Sequence, residues 1–138
     1  MAEQLKVLVA DDDPDIVDSL TMVLESGGYE VIIARDGEEA LVKIHTARPK
    51  LLILDLLMPR KDGFAVLKEL QFEEKWAPYK EQMFVIVLTS VREEFARRRY
   101  YLETAMELGS DDFLEKPISP QELLNAVARF VGPASHTV

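Results

Sequence analysis

The sequence predicts an α/β fold in which a doubly wound, five-stranded parallel sheet is covered on both faces by five helices. Three observations carry this expectation. Short aliphatic runs such as LLIL at 51–54 and MFVIVL at 83–88 lack polar alternation, the pattern of strands buried on both faces. Between them lie segments whose apolar residues recur at the period of an amphipathic helix. Gly, Pro and an Asp-Gly pair punctuate the boundaries. Regular alternation of strand and helix is what a parallel sheet demands, because each crossover must carry the chain back over one face.

Taken in order, KVLVA at 6–10 is a strand that stops at Asp11-Asp12-Asp13, and Pro14 suits the first turn of a helix. Ile16, Val17, Leu20, Val23 and Leu24 face inward along that helix, and Gly27-Gly28 ends it. A second unit pairs a strand over 29–34 with a helix over 38–46, turned at Asp36-Gly37 and stopped by Pro49. The third strand, 51–54, runs into Asp55, and Met58-Pro59 turns the chain away before a helix over 63–74. Residues 76–82, around Pro78, read as a loop with Trp76 as its anchor on the body. A strand over 83–88 ends in Thr89-Ser90, a long helix over 92–108 stops at Gly109, and 112–115 forms a brief fifth strand ending at Lys116-Pro117. Ser119 and Pro120 open the last helix, with Leu123, Leu124, Val127, Phe130 and Val131 inward. The domain is expected over 1–131, with 132–138 a disordered tail.

Composition narrows the function classes. At 138 residues the chain is one domain by length. Sixteen Lys and Arg against twenty-five Asp and Glu give a net charge of −9, which repels a phosphate backbone and an anionic membrane alike. Direct nucleic-acid binding and membrane association are therefore not expected. Without cysteine there is neither a disulfide nor a thiolate to use. No apolar run approaches a membrane span and the start lacks a secretory signal, so the cytoplasm is the expected compartment. His45, on the outer side of the second helix, and His136, in the tail, read as solvent-exposed rather than as ligands.

Chemistry concentrates at the strand ends. Asp11, Asp12 and Asp13, then Asp55, Thr89 and Lys116, each lie just past the apolar part of a different predicted strand, and in a parallel sheet those ends share one edge. Clustered carboxylates raise one another's proton affinity unless a cation intervenes, and an all-oxygen site suits Mg2+, with Mn2+ as a substitute. A hydroxyl at Thr89 and a point charge at Lys116 match the oxygens of a phosphoryl group carried on Asp55 as an aspartyl-phosphate.

At these residues the chain resembles the response-regulator receiver domain of two-component signalling, over residues 5–131. The resemblance rests on ADDDP at 10–14, LDLLMPRKDG at 54–63, VLTS at 87–90 and DDFLEKP at 111–117, all in order and in the right strand context. It implies a flavodoxin-like fold with Asp55 as phosphoacceptor and Mg2+ held by Asp12 and Asp55, by Asp11 through water, and by the Leu57 carbonyl. It further implies Lys116 pairing with phosphate, Thr89 and Ser90 on the phosphate and switch side, and Phe113 as switch aromatic. On this analogy the phosphoryl group draws Thr89 inward and Phe113 follows, moving the face built by the fourth helix, fifth strand and last helix. A histidine kinase or histidine phosphotransfer protein would donate. A downstream protein or an effector domain would read the output, with dimerisation on phosphorylation as one form of it. Such a domain is a signalling phosphoacceptor rather than an enzyme.

Two stretches are longer than the family's usual pattern, EEFARRRYYLETA and the loop around Trp76. Arg97-Arg98-Arg99 reads as a solvated helix face, with a docking patch for an acidic or aromatic partner as the alternative. Leu57 and Val91, two positions after Asp55 and Thr89, are apolar and unable to orient a hydrolytic water, which predicts slow self-dephosphorylation. The rival enzyme reading is a haloacid-dehalogenase-like phosphatase using Asp11 and Asp13 as an Asp-x-Asp pair. It leaves Asp55 and its Met-Pro turn idle and allows little chain for a substrate cap.

Overall fold

A computed structural model describes residues 4–90 and 95–133. The elements run β1 (Lys6–Ala10), α1 (Pro14–Ser26), β2 (Glu30–Ala34), α2 (Gly37–Ala47), β3 (Leu51–Leu54) and α3 (Gly63–Phe72). A 3-10 turn (Glu74–Trp76) leads into α4 (Ala77–Lys80), followed by β4 (Phe84–Thr89), α5 (Phe95–Glu107), β5 (Asp112–Glu115) and α6 (Pro120–Val131). All strand pairs are parallel, in the order β2-β1-β3-β4-β5. That order places a switch point between β1 and β3, where successive crossovers leave in opposite directions and open a crevice at the carboxyl edge.

The apolar runs are buried on both faces, as their lack of alternation predicts, apart from Phe84, exposed at the start of β4. Leu8, Leu52, Leu54, Val85 and Val87 point to one face and pack with Leu41 and Ile44 of α2, Val66, Leu67 and Leu70 of α3 and Ala105 of α5. Val7, Val9, Leu51, Ile53, Ile86 and Leu88 point to the other, against Leu20 and Leu24 of α1 and Leu123, Ala126 and Val127 of α6. One sheet thus holds two cores apart and fixes the helices on either side.

Six α-helices are present among the described residues where five were expected. The extra one, α4, lies in the stretch read as a loop. Pro78, around which that loop is expected, stands in the first turn of α4, where its missing N–H has no bond to lose. Trp76, 7% exposed, anchors the segment by donating its indole N–H to Glu69 Oε2 at 2.9 Å. His45 is exposed as expected, though its Nδ1 lies 2.5 Å from the Tyr79 hydroxyl. His136 and residues 134–138 of the expected tail lie outside the described residues.

Four helices begin on a side-chain cap. Asp13, Asp36, Asp62 and Ser119 accept backbone N–H bonds from Asp15, Glu39, Ala65 and Glu122 at 2.9, 2.8, 2.8 and 3.1 Å. Asp36 does more than cap. Buried at 4% exposure, it also accepts a bond at 2.7 Å from Arg60, in the turn after β3, where Arg60 has a left-handed φ of 65°. The Glu39 amide first, and Arg60 second, hold the Asp36 carboxyl below the usual carboxylate range. A depressed carboxylate stabilises the fold above its unfolded pKa and loses that contribution as pH falls through the folded value. Asp36→Ala is therefore expected to lower the unfolding free energy by about 1–2 kcal/mol at neutral pH in urea denaturation. The gap from wild type should close in acid below about pH 4; a gap independent of pH would assign the effect to packing alone.

Candidate phosphoacceptor site

The sheet ladder extends past the strands and delivers the polar residues to one level. Ala10 pairs with Leu54 and Leu54 with Val87, so the next residues of β1 and β3, Asp11 and Asp55, emerge side by side. Their amides continue the ladder: Asp11 N–H donates to Ala34 O and Asp55 N–H to Ala10 O, both at 3.0 Å. Thr89 closes β4 opposite Glu115, and Lys116 N–H donates back to Thr89 O at 2.9 Å. The polar set is thus placed by backbone register, which is more exacting than side-chain packing.

The side chains meet. Thr89 Oγ1 donates to Asp55 Oδ1 at 2.7 Å, and Lys116 Nζ lies 2.6 Å from Asp11 Oδ2 and 3.3 Å from Asp55 Oδ2. The Asp13 amide donates to Asp11 Oδ1 at 3.0 Å and the Leu57 amide to Asp55 Oδ1 at 3.3 Å. Asp11, Asp55 and Thr89 are buried, whereas Asp12 is exposed at the rim. The whole set lines a cleft of about 390 Å³ that also includes Ser90, Leu57 and Asp13.

Burial sets the electrostatics. It pushes the Asp11 carboxyl up from its ordinary value, against the opposing Lys116 bond and the Asp13 amide, and the nearby Asp55 charge adds to the rise. Burial alone would push Lys116 down, but its bond to Asp11 and the charges of Asp55 and Asp11 outweigh that and raise it. Lys116 therefore stays a cation, while for Asp11 burial outweighs the groups that favour its charge. The loop after Asp55 is fixed from below by a close approach of backbones: a Cβ on Gly63 would stand 2.3 Å from the Asp55 carbonyl oxygen and 2.7 Å from Leu56 Cα. Only glycine fits there.

The structure thus brings Asp11, Asp12, Asp55, Leu57, Thr89, Ser90 and Lys116 to one cleft. Phe113 is not among its lining residues; it is half-buried and packs on the core face shared by α2, α3 and α5. Val91 lies outside the described residues. Two residues the sequence reading did not assign to the site, Arg97 and Tyr101 of α5, line the cleft as well. Their signal was present as a four-residue spacing, which puts both on one helix face.

Comparison with known proteins decides the family. The family model for the response regulator receiver domain matches residues 7–128. The chain is a receiver domain. It is 42% identical over 118 residues to the alkaline phosphatase synthesis transcriptional regulatory protein PhoP of Bacillus subtilis, a match covering 86% of this chain and 45% of that protein. The chain spans about half the length of the curated transcriptional regulators it matches first. A 14.6 kDa protein of Leptolyngbya boryana is 35% identical over 127 residues, 92% of this chain and 90% of its own. Among solved structures, a response regulator of Chloroflexus aurantiacus superposes with TM-score 0.79 and 31% identity, covering 94% of this chain and 98% of that one. The chemotaxis response regulator CheY4 of Vibrio cholerae superposes with TM-score 0.79 and 29% identity, over 93% and 99%.

The phosphatase reading finds no support in this family assignment or in the geometry. Its second aspartate, Asp13, is exposed and its carboxylate caps α1. Receivers bind Mg2+ at an acidic pocket, and the donor set here fits one: an oxygen from each of Asp11, Asp12 and Asp55 lies within 4.8 Å of the others. Carboxylates so placed reach a single octahedral ion, whose ligands stand at about 2.0–2.1 Å, with small rotations or through water.

Removing the lysine tests the electrostatics. Lys116→Met leaves two buried carboxylates facing each other and is expected to lower the unfolding free energy by about 2 kcal/mol at neutral pH. Much of that loss should return on adding Mg2+. An unchanged urea midpoint would show that the carboxylates are solvated independently of the lysine.

Proposed function

We propose that the protein accepts a phosphoryl group on Asp55 from a histidine kinase or histidine phosphotransfer protein, in a reaction that requires Mg2+, and that the modified domain regulates a partner. The observation that carries this reading is the Thr89–Asp55–Lys116–Asp11 chain of contacts around one carboxylate. In the transfer, an Asp55 carboxylate oxygen forms the new O–P bond as the donor's N–P bond breaks, and the electron pair returns to the donor imidazole. Thr89 and Lys116 turn their donors from the carboxylate to the phosphoryl oxygens, so they stabilise charge where it arrives. Asp11, Asp12 and Asp55, with the Leu57 carbonyl, would hold a divalent cation that neutralises the acceptor and the incoming oxygens. Ser90, half-buried beside Thr89, supplies a second hydroxyl to the same wall. The bond between Asp55 and Thr89 links the modified residue to β4, and Phe113 on neighbouring β5 pairs with Val87 two residues before Thr89. Movement of Thr89 is thereby transmitted to the face of α5, β5 and α6.

The domain in this reading is 1–131. Its output passes to a separate protein or to an effector domain, and the names of the longer relatives favour transcription as the process regulated. With a net charge of −9 the receiver itself is not the nucleic-acid contact, and dimerisation on phosphorylation is one way to deliver the signal. No helix among the described residues is long and apolar enough to cross a membrane, which is compatible with the cytoplasmic location we propose.

Incubation with a small phosphodonor and Mg2+ is expected to label wild type and leave Asp55→Asn unlabelled; chelation of the metal should abolish the label. Persistence of a stable label in Asp55→Asn would refute the assignment. Decay of the label tests the second feature of the site. Leu57, 51% exposed at the cleft, offers no group to position water in line with phosphorus. Leu57→Asn should therefore lose its phosphoryl group several-fold faster than wild type by radiolabel decay; wild-type decay as fast as the variant's contradicts this.

A further inference from the structure

Helix α5 sends two side chains into the cleft for which the receiver reading has no task. Arg97 and Tyr101 stand one turn apart and line the same hollow as Asp55, Thr89 and Lys116. Tyr101 is half-buried and meets Phe64 of α3 edge-on, with ring centroids 5.6 Å apart, so α5 leans on α3 beside the acceptor. Its neighbours in the run face other partners: Arg98 pairs with Glu115 of β5, and Arg99 with Glu103 at 2.8 Å on the helix surface, while Arg97, exposed, stands at the cleft wall. The run Arg97-Arg98-Arg99 is therefore divided, with its first member at the cleft.

The charge balance of the cleft gives that placement a role. Once Asp55 carries a phosphoryl dianion, the carboxylates of Asp11, Asp12 and Asp13 remain around it, and the one charge of Lys116 is shared between Asp11, at 2.6 Å, and the group on Asp55. A divalent cation together with one lysine leaves this assembly with excess negative charge. A guanidinium is the donor that suits the deficit, since its planar fork bonds two phosphoryl oxygens at once and keeps its charge at any relevant pH. We propose that Arg97 is a phosphoryl-binding residue, its guanidinium donating to peripheral oxygens of the group on Asp55 while Tyr101 seats α5 against Phe64 at the distance this requires. The inference rests on Asp55 being the acceptor. It adds a direct tie between the phosphoryl group and a helix of the output face, independent of the route through Thr89.

Beryllofluoride, which forms a phosphoryl-like adduct on an acceptor carboxylate with Mg2+, is the probe, titrated into the full chain by calorimetry. Arg97→Gln is expected to weaken its binding by about tenfold or more, the loss of charge-assisted hydrogen bonds. Arg97→Lys, which keeps the charge without the fork, should lose several-fold. Mg2+ affinity measured without beryllofluoride should stay at the wild-type value or tighten in Arg97→Gln, because a neighbouring cation has been removed; a purely structural role would not separate the two ligands in this way. Wild-type-like beryllofluoride affinity in Arg97→Gln, or equal weakening of both ligands, overturns the proposal. If Arg97→Gln melts earlier than wild type, the same comparison in Arg97→Lys decides it. Failure of wild type itself to bind beryllofluoride would instead remove the acceptor assignment on which the proposal stands.

Discussion

Two carboxylates at the ends of adjacent parallel strands, both buried and side by side, would oppose folding if nothing answered their charge. The answer comes from the far end of the chain: Lys116 crosses from the end of β5 to lie 2.6 Å from Asp11 and 3.3 Å from Asp55. For that reach to work, β3 and β4 must lie between β1 and β5 in one register, since a one-residue slip would turn each of these side chains to the other face. The site and the sheet are therefore a single constraint. The lysine answers the acids only in part, because burial still pushes the Asp11 carboxyl up. A site left short of positive charge is one that a divalent cation would complete, and in the proposed function that cation and the phosphoryl group meet the charge the lysine leaves unanswered.

The same economy governs the loop after Asp55. Gly63 brings the first turn of α3 onto the Asp55 and Leu56 backbone, and its N–H donates to Leu56 O at 2.9 Å. Gly37 does likewise at the start of α2, where a Cβ would stand 2.2 Å from the Lys61 carbonyl oxygen and the Gly37 amide donates to that oxygen at 2.9 Å. Asp36 then grips Arg60 from the same helix start. The loop after Asp55 is clamped between two helix N-termini by close backbone contacts, which would suit the acceptor role proposed for Asp55, where reactivity depends on placement.

Much of this was legible in the sequence because it is written in local signals. Uninterrupted aliphatic runs specify strands buried on both faces, and acids or a lysine immediately after them can only reach the carboxyl edge; hence Asp11, Asp55, Thr89 and Lys116 were assignable before any coordinates. What was not legible depends on tertiary context. The stretch 74–80 sets Trp76, Ala77, Pro78 and Tyr79 side by side with no helical spacing, and its helical turn exists because Trp76 finds a buried seat and a Glu69 carboxylate. Lys61 reaches that same carboxylate at 2.5 Å, so a residue of the acceptor loop and the buried tryptophan share one partner. No periodicity encodes such a junction. Likewise, three consecutive arginines look equivalent as text, while a helix turning about 100° per residue sends them in different directions.

Magnitudes indicate where a charge change at Asp55 can have its effect. The center of the sheet is held by fully buried aliphatics whose truncation costs several kcal/mol each, so β1 and β3 do not yield. The β5 edge is different. All four of its residues are only half-buried, and it is joined to its flanking helices by exposed ion pairs, Arg98 of α5 to Glu115 and Arg129 of α6 to Asp112. Pairs of that kind are worth about 0–1 kcal/mol and exchange readily for water. The Thr89 hydroxyl bonds the Asp55 carboxylate and would have to turn to a group carried there as proposed, and Thr89 is in register with Glu115. In the proposed switch the response would meet a fully buried core on one side and, on the other, a half-buried strand held by the β4 ladder, by Phe113 and Leu114 and by those exposed pairs, which is the side that would give. The fold thus carries the proposed acceptor on its most deeply buried part and its half-buried edge two strands away, an arrangement that would convert a local change in charge into a change of surface.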